Sequence, residues 1–418
     1  MIAFTKFVLD NGLIVLVHED HSTPLAAVNV LYNVGARDES PDKTGFAHLF
    51  EHLMFGGSAN IPDFDGPVQL AGGENNAFTN NDITNFYQTL PAENIETAFW
   101  LESDRMKLLK FDQKSLETQQ KVVIEEFKET CLNQPYGDAW HHLAEMAFKI
   151  HPYRWPTIGK IPKHVEDATL EDVKEFYFKY YRPNNAILVV AGKVTVDEIK
   201  ALSEKWFGDI PRGNVPVRKL ELEPPQRKIQ KQINPAKVPA DALYLAFHCP
   251  GRVDNSYYAA DLLSDILANG SSSRFYRKLY KQERLFNSID AFVTGNIDPG
   301  LLIIEGKPMP GVSLEQAEKA IWRELDLLKN TGPSEAELQK YKNKVESLLV
   351  FSEANVLNKA INLAYFELIG NADLINTEKA EYLKVTREEI RELAREIFTE
   401  DNCSELYYMA SEGSESQV

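Results

Sequence analysis

Two stretches of this 418-residue chain match each other 213 positions apart: HLFEHLMFGGS at 48–58 and DLLSDILANGS at 261–271 share leucines and a closing Gly-Ser. A second pair, TLEDVKEF from 169 and TREEIREL from 386, repeats at an offset of 217. A nearly constant offset over two separate pairs is the mark of a duplicated domain, and each copy must then bury a core of its own. The chain is also longer than the size at which one hydrophobic core usually keeps growing. The expectation is an α+β protein with an N-terminal domain at 1–212, a linker at 213–239 and a homologous C-terminal domain at 240–418.

Local patterns fill in the first copy. FVLDNGLIVLVHE reads as a hairpin around Asn11-Gly12, and LAAVNVLYNVG as a buried strand. Helical periodicity follows at Gly45–Phe55, Ala92–Leu109 and Gln113–Leu132, and NAILVVAG reads as another strand. Beyond Pro211 the character changes, with Pro216, Pro224, Pro225 and Pro235 among many charges, which is the signature of a linker.

The first of the repeated stretches carries chemistry that the second lacks. On a helix, residues four apart share a face, so His48 and His52 can address one ion with Glu51 beside them. The order His-x-x-Glu-His inverts the HExxH zinc motif. In the second copy Asp261, Ser264 and Asp265 stand at those places, so the motif belongs to a task performed by one half. A catalytic zinc takes three protein ligands and keeps a position open, and the adjacent acids Glu125 and Glu126 in QQKVVIEEFKE are the candidates for the third. The alternative is a hydrogen-bonded histidine pair with a solvated glutamate.

Composition removes other classes. A formal charge of −17 argues against nucleic acid or an anionic membrane as partner. No run of 18 or more apolar residues and no export signal is seen, and the expected location is the cytoplasm. Cys131, Cys249 and Cys403 lie too far apart for a ligand knuckle and read as reduced structural thiols. No G-x-S-x-G elbow, phosphate loop or dinucleotide fingerprint occurs in a suitable context. His141, His142 and His151 read as structural.

With these residues in view, the sequence resembles the pitrilysin/insulinase superfamily of inverted-motif zinc metallopeptidases, in its short two-domain branch that includes the mitochondrial processing peptidase subunits. The resemblance runs through FVLDNGLIVLVHED, GFAHLFEHLMFGGS, NAFTNNDITNFYQTLP, KVVIEEF, HPYRWPTIG and YYRPNNAILVVAG. It implies one Zn²⁺ per chain held by His48, His52 and Glu126, which lies 74 positions beyond His52, with Glu125 outside the ligand set. It implies Glu51 as catalytic base of an endopeptidase acting on peptides or unfolded segments. Asn76, Ala77, Phe78 and Thr79 are the residues it assigns to an edge strand that pairs with substrate, against the plain reading of a core strand and turn. Each domain is expected to be a mostly antiparallel sheet with helices on one side, the two enclosing a cavity.

Two departures bear on partners. Where relatives often carry an acid seven residues before the ligand glutamate, Gln119 stands here. In the second half, an arginine and a tyrosine that meet substrate in active relatives correspond to Tyr280 and Asn287; Arg274 and Arg284 are near, but Lys281 and Ala291 follow them at seven residues. The expectation is a homodimer, or a heterodimer whose other chain supplies the missing pair. The competing reading is a non-catalytic scaffold subunit.

Overall fold

The Asn11-Gly12 turn closes a hairpin between β1 (Thr5–Val8) and β2 (Ile14–Glu19), with Val8 opposite Ile14. Gly12 has φ +91°, and a Cβ there would lie 2.8 Å from that of Asn184, so only glycine fits. The computed structural model describes residues 1–411. These form two units, each built on one sheet.

The first unit adds β3 (Leu25–Tyr32), β4 (Glu74–Thr79), β5 (Thr84–Pro91) and β6 (Ala186–Gly192) in the order β1-β2-β6-β3-β5-β4. Only β2 and β6 run parallel; every other pair is antiparallel. Alternation sorts the side chains. Val28, Val30, Leu188 and Val190 face a layer of helices contributing Phe46, Leu49, Phe50, Phe99, Tyr177 and Phe207. Ala27, Leu31, Ile187 and Val189 face the other way, onto Ala360, Leu363 and Ala364 of the helix Val356–Leu368. With both faces covered, β6 is buried at every position, which is why AILVVAG is a continuous apolar run instead of an alternating one. Beside the expected one-sided layer of helices, this sheet thus carries a helix on its second face.

The second unit has β7 (Gln230–Ala236), β8 (Ala242–Cys249), β9 (Phe286–Val293), β10 (Gly300–Pro308) and β11 (Cys403–Ala410) in the order β7-β11-β8-β10-β9. Phe247 packs edge-on against Trp322 and Phe398 on one face. On the other, Tyr244, Ala246, Ile303 and Leu406 meet Leu143 and Met146 of the helix Ala139–Ala147.

Two sequence expectations change. The expected contiguous division at 1–212 and 240–418 differs from the units, which comprise 1–127, 155–220 and 349–377 for the first and 128–154, 221–348 and 378 onward for the second. The cause is a reciprocal exchange: each half of the chain lends one helix to the sheet of the other. The expected linker, 213–239, is also too long. Residues 211–229 hold neither helix nor strand, but β7 follows and pairs in parallel with β11. Pro235 disguises this strand in the sequence, and is tolerated because β7 lies at an edge.

Candidate metal centre

The helix Phe46–Phe55 buries Phe46, Leu49, Phe50, Leu53 and Met54, and this apolar stripe fixes which face is left for His48, Glu51 and His52. Its N-terminus is held from outside the segment. Gly45 sits at φ +86° and offers no side chain. The carboxylate of Glu39 instead accepts from the N–H of Gly45 at 2.9 Å and of Ala47 at 2.8 Å, and from Trp155 Nε1 at 3.1 Å. A buried acid thus takes the place of an N-cap, while burial pushes its carboxyl up to about 8 against those three donors.

The helix Gln113–Phe127 brings Glu126 to the two histidines. His48 Nε2 and His52 Nε2 lie 3.3 Å apart, and Glu126 Oε2 is 3.6 Å from the first and 3.4 Å from the second. Metal–nitrogen and metal–oxygen bonds of 2.0–2.2 Å in tetrahedral array place neighbouring donors about 3.3–3.6 Å apart. The triangle therefore has the dimensions of one face of a zinc tetrahedron. Its donors suit a dication: burial drives the His48 imidazole down to about 4, so it is neutral at pH 7, and the hydrogen bond from His52 holds the Glu126 carboxyl below its usual value. These are the residues that fit Zn²⁺, and no other group of three such ligands occurs among the described residues.

Glu51 is half-buried beside this triangle and is not part of it. Burial raises its carboxyl, opposed by a hydrogen bond from Thr79 Oγ1 at 2.6 Å. Glu125 is exposed and outside the donor group. His48 Nδ1 is buried without a hydrogen-bond partner, where a ligand histidine ordinarily has an acceptor behind it.

The four residues expected on a peptide-pairing strand lie in β4, an edge of its sheet, and divide by face. Ala77 packs toward the core beneath the histidine helix, and Phe78 toward the opposite cluster. Asn76 Oδ1 accepts from the N–H of Ala77 at 2.8 Å, which occupies a backbone donor of the edge.

In the second unit, Asp261 and Asp265 are on the helix Tyr257–Ala268, with Ser264 between them bonded to the carbonyl of Asp261. Asp261 accepts from Tyr382 Oη at 2.6 Å and is raised by burial. His142 is 3.2 Å from Asp138, and His151 Nδ1 accepts from the N–H of Tyr153. All three cysteines are buried. What the sequence reading missed is the role of Glu39, in the loop before the helix, and of Trp155, far along the chain from it, and the contact of Thr79 with Glu51.

Residues 14–160 match the family model described as Insulinase (Peptidase family M16), and 167–345 match the one described as Peptidase M16 inactive domain. The zinc protease PqqE of Helicobacter pylori is 30% identical over 344 residues, spanning 80% of this chain and 76% of that protein. The chain belongs to peptidase family M16. The uncharacterized zinc protease YmxG of Bacillus subtilis is 25% identical over 95% of this M16 chain and 96% of that one. The crystal structure of a protease from Helicobacter pylori superposes with TM-score 0.93 at 26% identity, covering 98% of this chain and all of that one. The histidine motif falls in the first M16 match, and Asp261, Ser264 and Asp265 in the second, inactive one. No helix among the described residues is long and apolar enough to cross a membrane.

Proposed function

We propose that this M16 chain is a zinc-dependent endopeptidase acting on peptides or unfolded polypeptide segments, with one Zn²⁺ per chain. The observation that carries the proposal is the donor triangle of His48, His52 and Glu126 with Glu51 next to it and free of it. Bound there, zinc supplies a Lewis acid that makes water acidic near neutrality and polarises a carbonyl. The protein's own groups do the rest. Glu51 takes the proton from the attacking water and hands it to the leaving amine. An extended peptide pairs with the free edge of β4 through backbone hydrogen bonds, which give affinity with little sequence demand. For that pairing the amide of Asn76 leaves the N–H of Ala77 to the peptide.

The scaffold reading is disfavoured because the three ligands and the glutamate are all retained in one cluster. Tyr280, at the place of the arginine, is exposed, stacked on Tyr276 and no cation, and Asn287, at the place of the tyrosine, donates to the carbonyl of Pro308 and has no phenol. A second chain, a copy of this one or a homologue, is the proposed source. The cytoplasm remains the proposed location, supported by the buried thiols of Cys249 and Cys403, neither of which is in a disulfide. The test is cleavage of an unstructured peptide by the zinc-loaded chain, alone and with a homologous subunit encoded beside it. Cleavage that appears or rises sharply on mixing supports the reading with its partner, and a chain inactive in both arms with zinc bound contradicts it.

A further inference from the structure

Glu51 is a long side chain on a helix surface, with several rotatable bonds and one partner that restrains it. That partner is Thr79 Oγ1, at 2.6 Å from Glu51 Oε2, the length of a charge-assisted O–H···O⁻ bond. The bond falls on Oε2 and not on Oε1.

Thr79 is unusually well placed to restrain another residue. It ends β4 and faces Thr84 across the hairpin. The turn that follows is closed by Asn80 Oδ1, which accepts from the N–H groups of Asp82 at 2.8 Å and Ile83 at 2.9 Å. The same turn is fastened to the chain around residue 36: Ala36 and Arg37 donate backbone N–H groups to the carbonyls of Asn80 and Asn81 at 3.1 and 2.9 Å. Arg37 Nη1 meets Asp82 Oδ1 at 2.9 Å, with the two side chains 4% and 5% exposed. Gly35 lets these segments approach so closely that a Cβ would fall 2.6 Å from the carbonyl oxygen of Asn80. The hydroxyl therefore projects from the end of a strand whose following turn, residues 80–83, is held by these hydrogen bonds and this ion pair. Catalytic groups need that kind of support from a rigid element.

We propose that Thr79 is the positioning residue for Glu51: its hydroxyl fixes one carboxylate oxygen and leaves the other, Oε1, to take the water proton. The inference rests on the peptidase reading. Thr79 keeps its own proton throughout, and the transferred proton passes from water to Glu51 and on to the amine. It also reassigns Thr79, whose side chain serves the base and not the substrate, while its strand supplies the backbone for the peptide.

The test uses the full chain with its partner, and Thr79→Val, Thr79→Ala and Thr79→Ser. Misplacement of a reacting group by a fraction of an ångström to 1 Å costs up to about 100-fold. Expected for Thr79→Val and Thr79→Ala is a fall of kcat by about 10- to 100-fold with KM within about twofold, zinc content unchanged, and Thr79→Ser within a few-fold of wild type. A second readout avoids turnover: in the Glu51→Gln background, the Kd of an unstructured peptide is expected to be the same with and without Thr79→Val. Wild-type kcat in Thr79→Val and Thr79→Ala overturns the inference, as does a weakened peptide Kd with kcat intact. Failure of the underlying reading looks different: a zinc-loaded wild type without cleavage, or full turnover by Glu51→Gln.

Discussion

At the scale of single residues, the centre separates neighbours that the sequence leaves alike. Glu125 and Glu126 are adjacent acids on one amphipathic helix, and local pattern does not choose between them; only the family spacing from His52 favours Glu126. In the structure successive helical residues point about 100° apart, and it is Glu126 that groups with the two imidazoles. Glu126→Gln is accordingly expected to weaken zinc binding by at least about 100-fold and Glu125→Gln by less than a few-fold, measured by competition with a chelator; equal losses would contradict the assignment. His48, Glu51 and His52 were legible because four-residue spacing on an apolar helix is a local property. The contact of Thr79 with Glu51 was not, because it joins residues on a strand and a helix that only tertiary structure brings together.

At the scale of elements, periodicity yields several strands and helices of the first half, with errors where an element is irregular or at an edge. The helix expected over Gln113–Leu132 is α-helical to Phe127 and then widens into a π turn over Lys128–Leu132. The helix Val356–Leu368 was invisible as a partner of the first sheet, since an apolar face does not say which sheet it covers. Part of its docking is ionic: Lys359 Nζ meets Asp20 Oδ2 at 2.6 Å, both side chains being largely buried. The Lys359 hydrogen bond, with Ser22 assisting, holds the Asp20 carboxyl well below its ordinary range. A depressed carboxyl stabilises the fold above the unfolded pKa of about 4, and that contribution is lost as pH falls through the lower folded value. Lys359→Met should therefore cost about 1–2 kcal/mol in urea unfolding at pH 7 and progressively less toward about pH 2. A gap that is constant over that range would refute the ionic account.

At the scale of the whole chain, the repeat announced two sheets and two cores, and it did so correctly because duplication preserves the spacing of buried positions. It did not announce the exchange of helices between halves. A fragment ending near residue 220 contains every strand of the first sheet but lacks 349–377, and so leaves Leu16, Ala27, Leu31, Ile187 and Val189 without cover. Each large apolar side chain among them is worth about 1.5–3 kcal/mol when buried, so the exposed face exceeds what a domain's margin tolerates. That fragment is expected to aggregate or bind a hydrophobic dye, and fusion of 349–377 to it is expected to restore a cooperative melt; a fragment that melts cooperatively unaided would contradict the shared-helix architecture.

The central claim is that one unit of this M16 chain holds a zinc ion on His48, His52 and Glu126, with Glu51 beside it as base and not as ligand. Zinc content per chain, measured on purified wild type, His48→Ala and Glu51→Gln after equilibration with limiting zinc, tests it most directly. The account predicts one zinc for wild type and for Glu51→Gln, and none for His48→Ala. Wild type without stoichiometric zinc, or Glu51→Gln losing it as fully as His48→Ala, would contradict the account.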